Sequence, residues 1–117
     1  MVHIPTHRAP THPGEMLLEE FLKPLGLTQT ELADRLGVSY PRVNELVHGK
    51  RDMTPDTALR LERFLGVEAQ FWLNLQLAWD LYEATHSSAA RQIAGIKPLK
   101  RGGGGPAAPR KRGVAAA

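Results

Sequence analysis

Between Thr28 and Arg51 the chain is punctuated so closely that few folds can accommodate it. Thr28-Gln-Thr-Glu31 reads as a capping box: the Thr28 hydroxyl can accept from the Glu31 amide while the Glu31 carboxylate returns to the Thr28 amide. Leu32, Ala33 and Leu36 then fall on one helical face, and Gly37 breaks the helix. Ser39 caps a second short helix with Val43, Leu46 and Val47 inward, and Gly49 ends it. Glycine at 37 admits the positive φ that a tight turn requires, and the small Ala33 lets the second helix cross close over the first. Gln29, Ala33, Gly37, Val43 and Leu46 together describe a helix-turn-helix unit over residues 28–50.

The flanking sequence reads as three more helices. One spans about residues 13–25, opening on Pro13 with Glu15 in its first turn, and carries Leu17, Leu18, Phe21, Leu22 and Leu25 on one face. Pro24 is expected to kink it or end it early, and Gly26 closes it at the latest. Thr54-Pro55 starts a helix that stops at Gly66, and a last helix covers residues 68–85. No useful length alternates with period two, so the expected fold class is all-α with five helices and no sheet. Residues 1–12 read as a flexible arm, residues 13–85 as the single domain, and residues 86–117 as a disordered basic tail rich in Gly, Pro and Ala.

The 117 residues suit one small domain with tails. The net charge of +3 is a property of the tail: residues 86–117 hold seven basic side chains and no acid, leaving residues 1–85 at −4. Any attraction to a polyanion must therefore come from a local cluster, and Arg35, Arg42, Lys50 and Arg51 supply one against the single acid Glu45 within residues 35–51 if Asp34 is left just outside it. Without cysteine, disulfides, thiolate metal sites and thiol nucleophiles are excluded. That absence and the lack of a signal-like apolar run agree with a reducing cytoplasm, and no apolar stretch is long enough to span a membrane. No nucleophile, base and orienting group come together, so an enzyme is the weakest class. His3, His7 and His12 sit on no predicted helix that could fix them around a metal, and no cofactor is expected.

In a helix-turn-helix unit the N-terminal part of the second helix reads base edges in the major groove. Its outward residues here are Ser39, Tyr40, Arg42, Asn44 and Glu45. Arg42 suits guanine, Asn44 suits adenine, Tyr40 suits a thymine methyl or a phosphate, and Glu45 can accept from cytosine. Gln29 at a helix N-terminus, together with Lys50 and Arg51, suits phosphate. His48 falls at the end of the recognition helix, within reach of phosphate. The expected partner is double-stranded operator DNA. The basic tail either adds salt-sensitive affinity or is solvated without a binding role.

The last helix is apolar on two sides. Phe71, Trp72, Leu75, Ala78, Trp79 and Tyr82 span one broad face, and Leu73, Leu77 and Leu81 form a second stripe, interrupted only by Asn74, Gln76 and Asp80. A helix apolar on two sides needs two partners, here the domain body and a second copy. Trp72, Leu73, Leu77, Trp79 and Leu81 are the candidate dimer residues, with a palindromic operator as the consequence. The alternative is that the arm or the tail covers the second side.

The chain resembles the HigA/VapI antitoxins over about residues 12–83. The likeness is carried by His12-Pro-Gly-Glu15, the run from Leu25 to Gly37, the run from Val43 to Arg51, Thr54-Pro-Asp-Thr-Ala-Leu-Arg-Leu61 and Phe71-Trp-Leu-Asn-Leu-Gln76. The resemblance implies a phage-repressor-like all-α domain that dimerises on an operator in its own promoter and neutralises a RelE-like, mRNA-cleaving toxin. Helix one and the N-terminal arm are the expected toxin contact. Three other readings stay open: a solitary regulator of the same structural class, a protein-interaction module using the last helix, and the disfavoured enzyme.

Overall fold

The computed structural model describes residues 9–100. Its first helical run, α1, consists of an α-helical start Pro13–Leu17, a π-helical turn Leu18–Leu22 and a closing turn Lys23–Leu25. There follow α2 (Gln29–Leu36), α3 (Tyr40–Val47), α4 (Pro55–Leu65), α5 (Ala69–Thr85) and a short α6 (Ala90–Ala94). There is no strand among the described residues.

The five expected helices are present, and two features differ. Pro24 neither kinks α1 apart nor ends it before Leu25. Proline offers no N–H to the carbonyl one turn back, and here the preceding turn widens so that the Lys23 amide reaches the Leu18 carbonyl. The second difference is α6, which falls where regular structure was expected to fade. The expected disorder of residues 101–117 and most of the N-terminal arm, with His3 and His7, lie outside the described residues.

One core joins the helices. Leu17 and Leu22 of α1, Leu32, Ala33 and Leu36 of α2, Val43, Leu46 and Val47 of α3, Met53, Ala58 and Leu61, and Trp72 of α5 are all buried. Trp72 is the largest of them, with the Phe21 and Phe71 rings centred 5.1 and 5.0 Å from its own. Its full burial removes it from the candidate dimer residues. Both faces of α5 are apolar in sequence, and the broader one, led by Trp72, packs inward. The narrower stripe of Leu73, Leu77 and Leu81 faces out, with Leu73 half-buried and the other two exposed. Trp79 is half-buried, with the His12 ring edge-on against it at 4.9 Å.

Candidate nucleic-acid interface

The turn between α2 and α3 forms as its sequence dictates. The Thr28 hydroxyl accepts from the Glu31 amide at 3.0 Å and the Thr28 amide donates to the Glu31 carboxylate at 2.8 Å. The Thr28 amide first, and then the Thr28 hydroxyl, hold the Glu31 carboxyl below its ordinary pKa. Gly37 lies in the left-handed region at φ 73°, its amide on the Ala33 carbonyl at 2.9 Å. Ser39 then caps α3, its hydroxyl accepting from the Arg42 amide at 3.3 Å. With Val43, Leu46 and Val47 in the core, Ser39, Tyr40, Arg42, Asn44 and Glu45 are left at or near the surface.

These residues are ordered by one another. Asn44 donates through Nδ2 to Gln29 Oε1 at 2.9 Å and to Tyr40 Oη at 3.4 Å, which ties the start of α2 to the outer face of α3. With its carbonyl engaged, Gln29 keeps an NH2 group that donates to no acceptor among the described residues. Arg42 donates through Nη2 to the Asp56 carboxylate and, at 2.7 Å, to the Thr57 hydroxyl. Asp56 also accepts from Arg60 Nε at 2.9 Å, and Arg60 Nη1 donates to the Leu36 carbonyl at 2.8 Å. Arg42 first, and then Arg60, hold the Asp56 carboxyl below its ordinary pKa. The turn between α2 and α3 is therefore pinned to α4 by a chain of charge-assisted bonds.

The remaining predicted contacts stand differently. Arg51 donates through Nε and Nη2 to one Glu45 oxygen, at 3.0 and 2.8 Å, so in the free chain these two satisfy each other. The His48 ring folds back on its own helix, with Nδ1 2.7 Å from the Asn44 carbonyl. Lys50 is exposed and makes no side-chain hydrogen bond or ion pair among the described residues.

Three positioning residues escaped the sequence reading. His12 is buried, and its Nδ1 accepts from the Gly14 amide at 2.9 Å, capping α1. Burial holds its pKa below 6.5, against the raising influence of Asp52, Asp80, Glu15 and Glu83. Gly14 brings α1 onto the backbone of α3 so closely that a Cβ there would lie 1.7 Å from the Leu46 carbonyl oxygen. Gln76 is buried on α5, where its carbonyl accepts from the Met53 amide at 2.6 Å and its NH2 group donates to Asp80 at 2.9 Å and Asp52 at 3.3 Å. It thereby anchors the loop that carries Lys50 and Arg51. A lone polar residue on the Trp72–Trp79 face of α5 was the available signal for Gln76.

Residues 18–72 match the HTH_3 helix-turn-helix family. Virulence-associated protein I of Dichelobacter nodosus is 57% identical over 88 residues, which make up 75% of this chain and 80% of that protein. Antitoxin HigA-1 of Vibrio cholerae is 39% identical over 94 residues, 80% of this chain and 88% of the relative. The solved structure of Pseudomonas aeruginosa antitoxin HigA with the higBA promoter superposes with a TM-score of 0.73 at 41% identity, covering 78% of this chain and 99% of the other. The polar face of α3, its rigid mounting and this breadth of likeness agree: the chain belongs to the HigA/VapI group of helix-turn-helix proteins.

Proposed function

We propose that this protein is a sequence-specific repressor that binds an operator in its own promoter as a homodimer and serves as the antitoxin of a toxin–antitoxin pair. The observation that carries the DNA reading is the surface of α3. Five polar side chains from Ser39 to Glu45 stand on a helix whose opposite face is locked into the core, with Gln29 oriented beside them. A rigid helix presenting a guanidinium, an amide and a hydroxyl is what reading of base edges requires. The promoter complex of the Pseudomonas aeruginosa relative supports the same use of the fold.

Arg42, Tyr40 and Asn44 are the base-reading residues of this proposal, with Glu45 beside them. Gln29, Ser39, Lys50 and Arg51 serve the phosphates. Engaging DNA requires Arg51 to exchange Glu45 for phosphate, and Arg42 to extend its free Nη1 while Nη2 stays on Asp56. Asn44 reaches adenine only by giving up Gln29 or Tyr40, so its first role is to orient those two. The second copy meets this one through Leu73, Leu77 and Leu81. The toxin is RelE-like and small, and the exposed acids Glu15, Glu19 and Glu20 of α1 suit a basic partner there. The site of action is the cytoplasm, at the operator.

Purification of the tagged full chain from its native host, with identification of what accompanies it, tests the proposal. A small basic protein in equal amount is the expected result. Its absence, with the promoter still bound specifically, would overturn the antitoxin half and leave a solitary regulator.

A further inference from the structure

Two apolar surfaces are left open in the single chain, and they follow one another along it. On α5, Leu77 and Leu81 are each 57% exposed. Beyond it, Ile93, Ile96 and Leu99 are 54%, 70% and 79% exposed, on α6 and the stretch that follows. The two surfaces carry opposite charge. Helix α5 holds Asp80 and Glu83 and no lysine or arginine, whereas residues 86–100 hold Arg91, Lys97 and Lys100 and no acid. An apolar arm carrying cations complements an apolar helix face edged by the Asp80 carboxylate. The arm does not lie on its own chain, since residues 91–100 are exposed throughout.

Size points the same way. A stable interface takes about 800 Å² from each partner, and three leucines per copy, one of them half-buried, fall short of that. Ile93, Ile96 and Leu99 double the number of large apolar side chains each copy can contribute.

We propose that residues 90–99 of one copy clamp onto the Leu73, Leu77 and Leu81 face of a second copy, so that the dimer is closed by exchanged arms. The proposal rests on the homodimer reading above and adds to it a segment that lies beyond the matched helix-turn-helix residues 18–72. Sedimentation equilibrium of the full chain and of the full-length Ile93→Asp/Ile96→Asp variant tests it. Both positions are exposed, so helicity by circular dichroism is expected to be unchanged. The wild-type chain is expected to dimerise, and the variant to dimerise at least about tenfold more weakly. An unchanged dimer constant would overturn the clamp and leave the dimer standing. A wild-type chain that stays monomeric at operator-binding concentrations would overturn both.

The absence of native cysteine permits a second readout. Chains carrying Leu77→Cys and chains carrying Ile96→Cys, mixed and oxidised, are expected to join as the mixed disulfide dimer. Formation of same-variant dimers alone would overturn the clamp. So would a doubly substituted chain that closes its disulfide within itself at high dilution.

Discussion

Arg42 serves two partners at once. Nη2 is held by Asp56 and Thr57, while Nη1 and Nε have no acceptor among the described residues. Its partner Asp56 is exposed and keeps Arg60, and the buried Thr57 keeps Thr54, so Arg42→Ala is expected to lower thermal stability only slightly. Loss of its charge-assisted hydrogen bond from Nη1 to a base costs ~1.5–3 kcal/mol of binding, so operator affinity by gel shift should fall by roughly ten- to a hundredfold. Wild-type affinity in this variant would remove Arg42 from the reading surface. His12 makes the second prediction at this scale. Its Nδ1 can accept from the Gly14 amide only while unprotonated, and burial already favours the neutral ring. A folded-state pKa below the ordinary 6.5 means the stabilisation is complete above that value and is lost as pH falls through the folded-state pKa. Thermal melts should therefore drop on acidification from pH about 7 to about 5. In His12→Asn, which retains a capping oxygen and cannot titrate, this part of the drop should vanish. Equal pH slopes in the two proteins would refute the assignment.

At the scale of elements, what fixes the reading helix is its rear contact. Gly14 of α1 lies against the α3 backbone, and a methyl group there meets the Leu46 carbonyl carbon at 2.6 Å as well as its oxygen. Neither is a flexible side-chain end, so relief requires α1 and α3 to separate. Gly14→Ala should cost ~1–3 kcal/mol by overpacking and should weaken operator binding further by displacing α3. Gly95→Ala, whose nearest atoms lie at 3.5 and 3.6 Å, serves as the control for melting temperature alone. A Gly14→Ala protein with unchanged melting temperature would show that the two helices slide apart freely. This contact also marks where the sequence stops informing. The boundaries of α2, α3 and α4 could be read because Thr28, Ser39, Thr54, Gly37 and Gly66 act on their own neighbours, through hydroxyl caps and left-handed turns. Gly14, His12 and Gln76 act on residues more than twenty positions away. His12 also caps its own helix at Gly14, a local role that histidine, unlike Ser, Thr, Asp or Asn, does not announce. The two faces of α5 pose the same difficulty: periodicity shows that both are apolar, and only packing shows that Trp72 lies inside and Leu77 outside.

For the whole molecule, charge decides how DNA is approached. Residues 1–85 carry a balance of −4, so the domain as a unit repels a phosphate backbone and only locally placed cations can hold it. Lys50 is the clearest of these, exposed and bonded to no described side chain, on the loop that Gln76 anchors. Each phosphate neutralised contributes ~0.9 to the slope of log affinity against log salt concentration. A dimer brings Lys50 to the operator twice, so Lys50→Ala should reduce the magnitude of that slope by ~2, with affinity falling evenly for operator and unrelated DNA. A reduction of ~1 would mean that one copy binds alone, contradicting the symmetric dimer even if Lys50 touches phosphate. No reduction would exclude the contact itself. The salt titration thus reports on both the phosphate contact and the number of copies that make it, in the protein that binds DNA.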